Sequence, residues 1–265
     1  MTAVDAEIWW LTPLLMVVLV GLVCPATGAL LVTQRRVLQA NLMAHAVLPG
    51  LVLALALGLD PILGGLISGL LGSLLAEVLS HRCSGREESV LNTVLAGFLA
   101  LGVLLAPLLQ LRIDLEALLF GDLLAVGPAD LVRMLVAAAV LAVLVLSSYR
   151  NLVFVGVDAA GAEAARLPVR RLKLVLTFTT GLVVISSMAA VGVVLVIALL
   201  CAPVLMHIEA SRSLQRLMLR AAATGLLLGV GGLLAAVLVD APPGALIGVL
   251  CLGLLVFKRP LPTTS

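Results

Sequence analysis

The chain is 265 residues long, 63% apolar and 11% charged, with a formal net charge of +2 and a mean hydropathy of +1.28. A soluble domain is usually about 45–50% apolar and about 25% charged, so this composition excludes an ordinary soluble globule. So small a net charge gives no electrostatic basis for a nucleic-acid partner.

In chain order, the first feature is acidic. Asp5 and Glu7 stand where the basic region of a cleavable signal belongs. Trp9 and Trp10 follow, and indole rings favour the membrane interface. Then come long apolar blocks. About 20 apolar residues at 1.5 Å rise span a bilayer, and Leu14–Val32, Pro61–Leu79, Leu91–Leu109, Leu131–Leu146, Val183–Met206, Ala221–Val239 and Gly244–Phe257 meet or approach that length. Val47–Leu59 and Lys173–Ile185 are shorter and read as tilted spans or partly re-entrant segments. No block alternates as barrel strands do. The expectation is an all-α, polytopic helical bundle of about nine spans (eight to ten), one transmembrane domain over residues 1–265. Four scattered cysteines, Cys24, Cys83, Cys201 and Cys251, form no CxxC pair and read as free thiols.

The loops alternate in sign. One set is acidic: the N-terminus, Asp60, the 110–130 stretch (Arg112 against Asp114, Glu116, Asp122 and Asp130) and Asp240, with a neutral turn at 186–190. The other set holds Arg35 and Arg36, Arg82 and Arg86, Arg150 through Lys173, Arg212 through Arg220, and Lys258 with Arg259. Fourteen of the sixteen basic residues fall in this second set, which places it in the cytoplasm. The N-terminus is then outside and the C-terminus inside.

The largest cytoplasmic segment is 150–172. Within it, Asp158 to Pro168 reads as a short amphipathic helix ended by proline. It is either a solvated connector or a docking element for a cytoplasmic partner. Ionisable groups in or beside spans are costly and are functional candidates by default. Asn41 and His45 lie four apart and share a helix face. Pro49 and Gly50 follow and are expected to disrupt the helix and free backbone carbonyls. A neutral imidazole beside amide and carbonyl oxygens suits a borderline divalent cation; a histidine hydrogen-bonded between helices is the plainer alternative. Glu77 and Arg133 read as snorkelling at span ends, His81 as solvated, and His207 as interfacial. Gly65-x-x-x-Gly69, Ser68-x-x-x-Gly72 and Gly225-x-x-x-Gly229 have the spacing of close helix contacts. There is no Gly-Lys-Ser/Thr loop for ATP and no HExxH. Paired carboxylates deep in the spans, as a proton- or sodium-coupled carrier would carry, are also missing from the sequence.

The block Arg35-Arg36-Val37-Leu38-Gln39-Ala40-Asn41-Leu42-Met43-Ala44-His45-Ala46-Val47-Leu48-Pro49-Gly50 resembles the early segment of the zinc/manganese (ABC-3 type) permease family of ABC transporters. That family typically shows a basic pair and then Gly-Asp-Ala-Leu-Ser-His-Ala-Val-Leu-Pro-Gly. Arg86-Glu87-Glu88-Ser89, Leu119-Phe120-Gly121-Asp122, the run from Val191 to Pro203, and Asp240-Ala241-Pro242-Pro243-Gly244 are similar to later family elements in the same order. The resemblance covers roughly residues 14–257.

The resemblance implies a membrane-embedded permease, not itself an enzyme, in the bacterial inner membrane. Its implied partners are a second copy of the permease, two cytoplasmic ABC ATPase subunits and an extracytoplasmic metal-binding protein. Residues Ala160, Gly161, Glu163, Ala164, Arg166, Leu167 and Pro168 then correspond to a coupling helix on the ATPase. His45 matches the family's cation-pathway histidine, whereas Asn41 stands where an aspartate is expected. The Gln39-Ala40-Asn41-Leu42 variant is similar to that of manganese importers of photosynthetic bacteria. The expected cargo is therefore a transiently held Mn²⁺, with Zn²⁺ or Fe²⁺ as alternatives, and no resident cofactor is implied. A metal-chelate permease and a non-transporting scaffold are the further alternatives.

Overall fold

A computed structural model of the chain describes residues 10–83, 86–111 and 120–258. The expectations for Asp5, Glu7, Trp9, Arg112, Asp114, Glu116, Leu119 and Arg259 lie outside these residues. The described elements are α1 (Leu11–Thr33), α2 (Val37–Ala56), α3 (Pro61–Arg82), α4 (Glu87–Leu108), a 3₁₀ turn (Leu123–Ala125), α5 (Pro128–Val157), α6 (Ala159–Ala164), α7 (Val169–His207), α8 (Leu214–Val239) and α9 (Pro243–Val256). The all-α membrane bundle expected from the apolar blocks is what forms. Among the described residues, eight helical segments are long and apolar enough to cross a membrane, with α7 contributing two. The helix α9 is apolar but only 14 residues long.

The two short blocks have different outcomes. Val47–Leu59 covers the second half of a 20-residue helix, α2, and the turn after it; the first half of α2 carries the polar Gln39, Asn41 and His45. Pro49 does not break α2, which runs through it to Ala56. The proline removes only one intrahelical bond, the one its missing N–H would make to the His45 carbonyl. The neutral turn expected at 186–190 lies instead at Gly192, the single non-helical residue in α7, at φ 78°. Ser186 and Ser187 are compatible with helix, whereas a positive φ suits glycine.

Contacts along α1 show that the chain doubles back there. Arg36, just past the end of α1, meets Thr177; Cys24 meets Ser187. Further along α1, Gly28 lies against Leu200 and Ala29 clusters with Val204. The first arm of α7 therefore runs away from the Arg36 end and the second arm returns to it.

Glycine contacts set the closest helix crossings. Gly65 faces Val47, Gly69 faces Met43, and Gly72 faces Ala46, so the small-residue spacing in α3 packs against α2. Ser68 Oγ donates to the Ala46 carbonyl at 2.6 Å, and Gly50 and Gly64 approach backbone to backbone. In α8, Gly225 meets Gly21 of α1 and Gly229 meets Val17. Pro25 lies four residues after Gly21, so the Gly21 carbonyl lacks its usual helical donor, and Gly225 covers it. Without a hydrophobic drive between helices in lipid, such close backbone packing carries the association.

The bundle has two chemically different ends. At one, Arg36 reaches the Lys173 carbonyl, Tyr149 accepts from the Gln215 N–H, and Lys258 bonds the Leu205 carbonyl and pairs with Glu209 at 3.2 Å. At the other, Arg133 pairs with Asp60 at 2.7 Å and Asp130 at 3.0 Å. Arg133 is thus held between two carboxylates from two helices rather than merely extended toward water.

Candidate functional site

The helix α2 is packed on most sides, with Ala40, Ala44 and Val47 in the main core. Gln39 and Met43 look toward α3 and α7. Leu42 and Ala46 pack on Val90 and Val94 of α4, and further out Leu48 and Val52 pack on Ala106. Asn41 and His45 occupy the remaining face and are half-buried. These are the two positions between residues 39 and 49 that are not fully buried, and the same face is covered further along at Leu48 and Val52.

His45 Nδ1 lies 3.0 Å from the Asn41 backbone carbonyl. A carbonyl only accepts, so Nδ1 is the donor, which in the neutral imidazole leaves Nε2 its lone pair. Among the described residues this bond lies within α2 rather than between helices. An imidazole whose other nitrogen is oriented by a carbonyl is the arrangement in which histidine ligates metals. The Asn41 side chain and the His45 carbonyl, which lacks its helical donor because of Pro49, are oxygen donors on the same stretch. Among the described residues there is no group of three or more His, Cys, Asp and Glu placed to hold a metal.

A cavity of about 500 Å³ lies at the basic end, between α2, α3, α4 and α7, with Arg36, Gln39, Glu77, His81, Glu87 and Lys173 in its wall. It sits at the start of α2, with Leu38 and Gln39 in its wall. His81 belongs to the last turn of α3, at the rim of this cavity, and is exposed, as a solvated histidine is expected to be. Burial lowers the pKa of the Arg36 guanidinium, against the attraction of Glu77 and Glu87. At the far corner of the same end, His207 Nε2 is 2.7 Å from Thr224 Oγ1, joining α7 to α8.

Ala160, Gly161, Glu163 and Ala164 form α6, with Arg166, Leu167 and Pro168 directly after it. Asp158 caps this helix, accepting from the Gly161 N–H at 2.8 Å. The helix closes before its proline. Arg166 adopts φ 58°, its N–H returns to the Glu163 carbonyl, and the Leu167 N–H returns to Ala162. This is a Schellman closure with arginine in the left-handed position. Pro168 instead begins α7 as its N-cap residue. Ala160, Glu163, Ala164 and Arg166 stand at the surface, while Gly161 is half-buried and Ala162 is fully buried in the core. The helix thus lies at the surface, held by the buried Ala162, with four residues between it and the start of α7.

The network of Arg36, Gln39, Ser73 and Thr177 was not evident in the sequence. Gln39 was visible only as part of a motif variant, and nothing in Thr177 or Ser73 marks a partner in another helix.

Residues 9–259 match the family model "ABC 3 transport family", and the chain belongs to that family. The manganese transport system membrane protein MntC of Halalkalibacterium halodurans is 29% identical over 86% of this chain and 78% of its own length. A probable iron transport system membrane protein of Haemophilus influenzae is 28% identical over 88% and 86%. Among solved structures, PsaBC from Streptococcus pneumoniae in complex with Fab superposes with a TM-score of 0.85 at 25% identity, covering 94% of this chain and 90% of that one. The chain is therefore a multi-pass ABC permease subunit of the plasma membrane.

Proposed function

We propose that the chain is the permease of a divalent-metal importer, carrying Mn²⁺ past His45 and Asn41. The single observation that supports this most is the His45 imidazole, set by the Asn41 carbonyl with Nε2 free, on the half-buried face of α2. One chain offers one nitrogen and a few neutral oxygens there. Two copies facing each other across α2 double that set and enclose a passage, so the working unit is a homodimer. A neutral donor set binds a hard or borderline cation only weakly. Weak holding suits a conduit, since a tight site would retain the ion. Manganese is favoured over zinc and iron by the oxygen-rich, thiolate-free donors and by the name of the MntC relative; the iron-named relative supports Fe²⁺ as the second reading.

ATP hydrolysis belongs to separate cytoplasmic subunits, which seat on α6 through Ala160, Glu163, Ala164 and Arg166. A metal-binding protein delivers the ion at the opposite end. The basic loops at the α6 end orient that end to the cytoplasm, leaving the N-terminus outside. The test is uptake of Mn²⁺ by cells carrying His45→Ala at wild-type expression, with unlabelled Zn²⁺, Fe²⁺ and a metal chelate as competitors. Loss of uptake is expected, with Mn²⁺ the best competitor against the wild type. Normal uptake by the variant overturns the assignment of His45.

A further inference from the structure

We propose that the Gln39 amide is a two-position contact between α2 and α7, bonded to Thr177 in the state seen here and to Thr180 in the opposite state of the transport cycle. Gln39 and Thr180 are then positioning residues for the cation-facing side of α2. The inference rests on the reading of the chain as an alternating-access permease.

Four observations lead there. First, α2 and α3 form one body, through the Gly50–Gly64 approach and the Ser68–Ala46 bond, and Gln39 Nε2 adds a bond to Ser73 Oγ. Second, this body is tied to α7 by side-chain bonds that converge on one hydroxyl. Thr177 Oγ1 accepts from Gln39 Nε2 at 3.1 Å and from Arg36 Nη1 at 3.3 Å, while Arg36 also reaches the Lys173 carbonyl. Third, Thr180 is 1% exposed, and its Oγ1 has no hydrogen-bond partner among the described residues. It borders the same narrow crevice as Gln39, Arg36 and Thr177, which is too tight to admit a water. A buried hydroxyl left unbonded is costly and calls for a reason. Fourth, the next contact along the two helices is Met43 against Gly181. A flexible thioether on a bare backbone offers little resistance to sliding.

The helices run side by side in the same direction, since Arg36 meets Lys173 and Thr177 while Met43 meets Gly181. Moving the first arm of α7 three residues toward the basic end, about 4.5 Å at helical rise with a turn of about 60° about its axis, brings Thr180 to Gln39 and leaves Thr177 with Arg36. Every donor then keeps an acceptor, and Thr180 gains one. Packed helices switch between discrete registers of this kind rather than deforming continuously. The helix α7 is the next element after α6, so motion of the ATPase-facing segment enters α7 at its first turns. It reaches α2 at Gln39, two residues before Asn41.

The test uses the permease assembled with its ATPase subunits in liposomes. Thermal midpoint, ATP turnover and initial Mn²⁺ uptake are measured for Thr180→Val and Thr180→Ser. Replacing the unbonded hydroxyl by a methyl favours the state seen here and removes the acceptor of the other. Thr180→Val is expected to raise the midpoint by roughly 2–4 °C. It is expected to lower maximal ATP turnover and uptake about three- to tenfold, with the half-saturating Mn²⁺ concentration unchanged. Thr180→Ser restores the wild-type behaviour. Thr180→Ala gives the same reading if the valine variant does not assemble. Wild-type turnover in Thr180→Val, or a serine variant that behaves like valine, overturns the proposal. If the wild-type complex hydrolyses ATP but carries no Mn²⁺, the cargo assignment fails, while ATP turnover still tests the register change.

Discussion

The Arg133 guanidinium donates to the Asp60 carboxylate at 2.7 Å and to Asp130 at 3.0 Å. Asp60 has a second task, since its other oxygen accepts from the Ile62 N–H and caps α3. One carboxylate thus starts a helix and joins it to α5.

These two tasks separate by substitution. About a third of each side chain is exposed, so the ion pair contributes about 0.2–1 kcal/mol, whereas losing the cap costs typically about 1 kcal/mol. Asp60→Asn keeps a capping oxygen and loses most of the pairing. Asp60→Ala loses both, and Arg133→Met keeps the cap but loses the pairing to Asp130 as well as to Asp60, each worth little at this exposure. The expected order of thermal stability in detergent is wild type, then Arg133→Met and Asp60→Asn together, then Asp60→Ala lowest. Added salt is expected to narrow the first gap and leave the second. An Arg133→Met protein less stable than Asp60→Ala contradicts the division.

Glycine positions give a sharper contrast. A Cβ on Gly28 or Gly225 runs into the backbone of Leu200 or Gly21, while Gly231 has open space. Gly225→Ala and Gly28→Ala are expected to destabilise by about 1–3 kcal/mol through overpacking. Gly231→Ala is expected to be neutral or to stabilise by up to about 1 kcal/mol through helix propensity. Thermal midpoints of the three purified variants decide this, and equal behaviour at Gly225 and Gly231 refutes the α1–α8 contact.

That contrast also shows what the sequence could carry. The spacing Gly225-x-x-x-Gly229 announced a packed face, but its partner Gly21 stands in no motif, because a helix contact joins positions 204 residues apart. Apolar blocks located the spans because lipid demands length and hydrophobicity. They misjudged α2, where Gln39, Asn41 and His45 interrupt the apolar run inside a regular helix, and they placed the α7 turn a few residues early, since composition does not report the φ of Gly192. Spacing put Asn41 and His45 on one face. Which imidazole nitrogen is free depends on a backbone carbonyl, and no residue identity encodes that. The Gln39–Thr177 bond was invisible for the same reason as Gly21: both ends are ordinary residues until the fold brings them together.

The short helix α6 depends on its caps. Six residues are too few to be helical unaided, so the Asp158 cap and the Arg166 closure hold its shape. Asp158→Ala is expected to cost about 1 kcal/mol locally and to weaken retention of the ATPase subunits on purification, with unchanged amounts of permease in the membrane. Arg166→Gly removes a charge but relieves the left-handed backbone at φ 58°. It is expected to keep α6 folded, so any loss of ATPase retention in that variant reports the guanidinium itself. Full retention in both variants argues against α6 as the docking element.

Asn41→Asp tests the charge of the cation stretch. The amide donates no negative charge, and a carboxylate at the same position adds one per chain, facing the same half-buried side as His45. Coulomb attraction at short range in a partly dehydrated passage strengthens holding of a divalent ion. A conduit needs release as well as capture, so the two kinetic constants are expected to move in opposite senses. The half-saturating Mn²⁺ concentration falls, and the maximal uptake rate falls with it as release slows. Zn²⁺ becomes a stronger competitor, since imidazole with carboxylate is a good zinc pair. His45→Ala combined with Asn41→Asp separates charge from nitrogen ligation: the double variant is expected to regain cation binding without regaining transport. Initial rates across a Mn²⁺ series, with and without Zn²⁺, measure all three effects. An Asn41→Asp protein with unchanged constants places the ion elsewhere than beside Asn41.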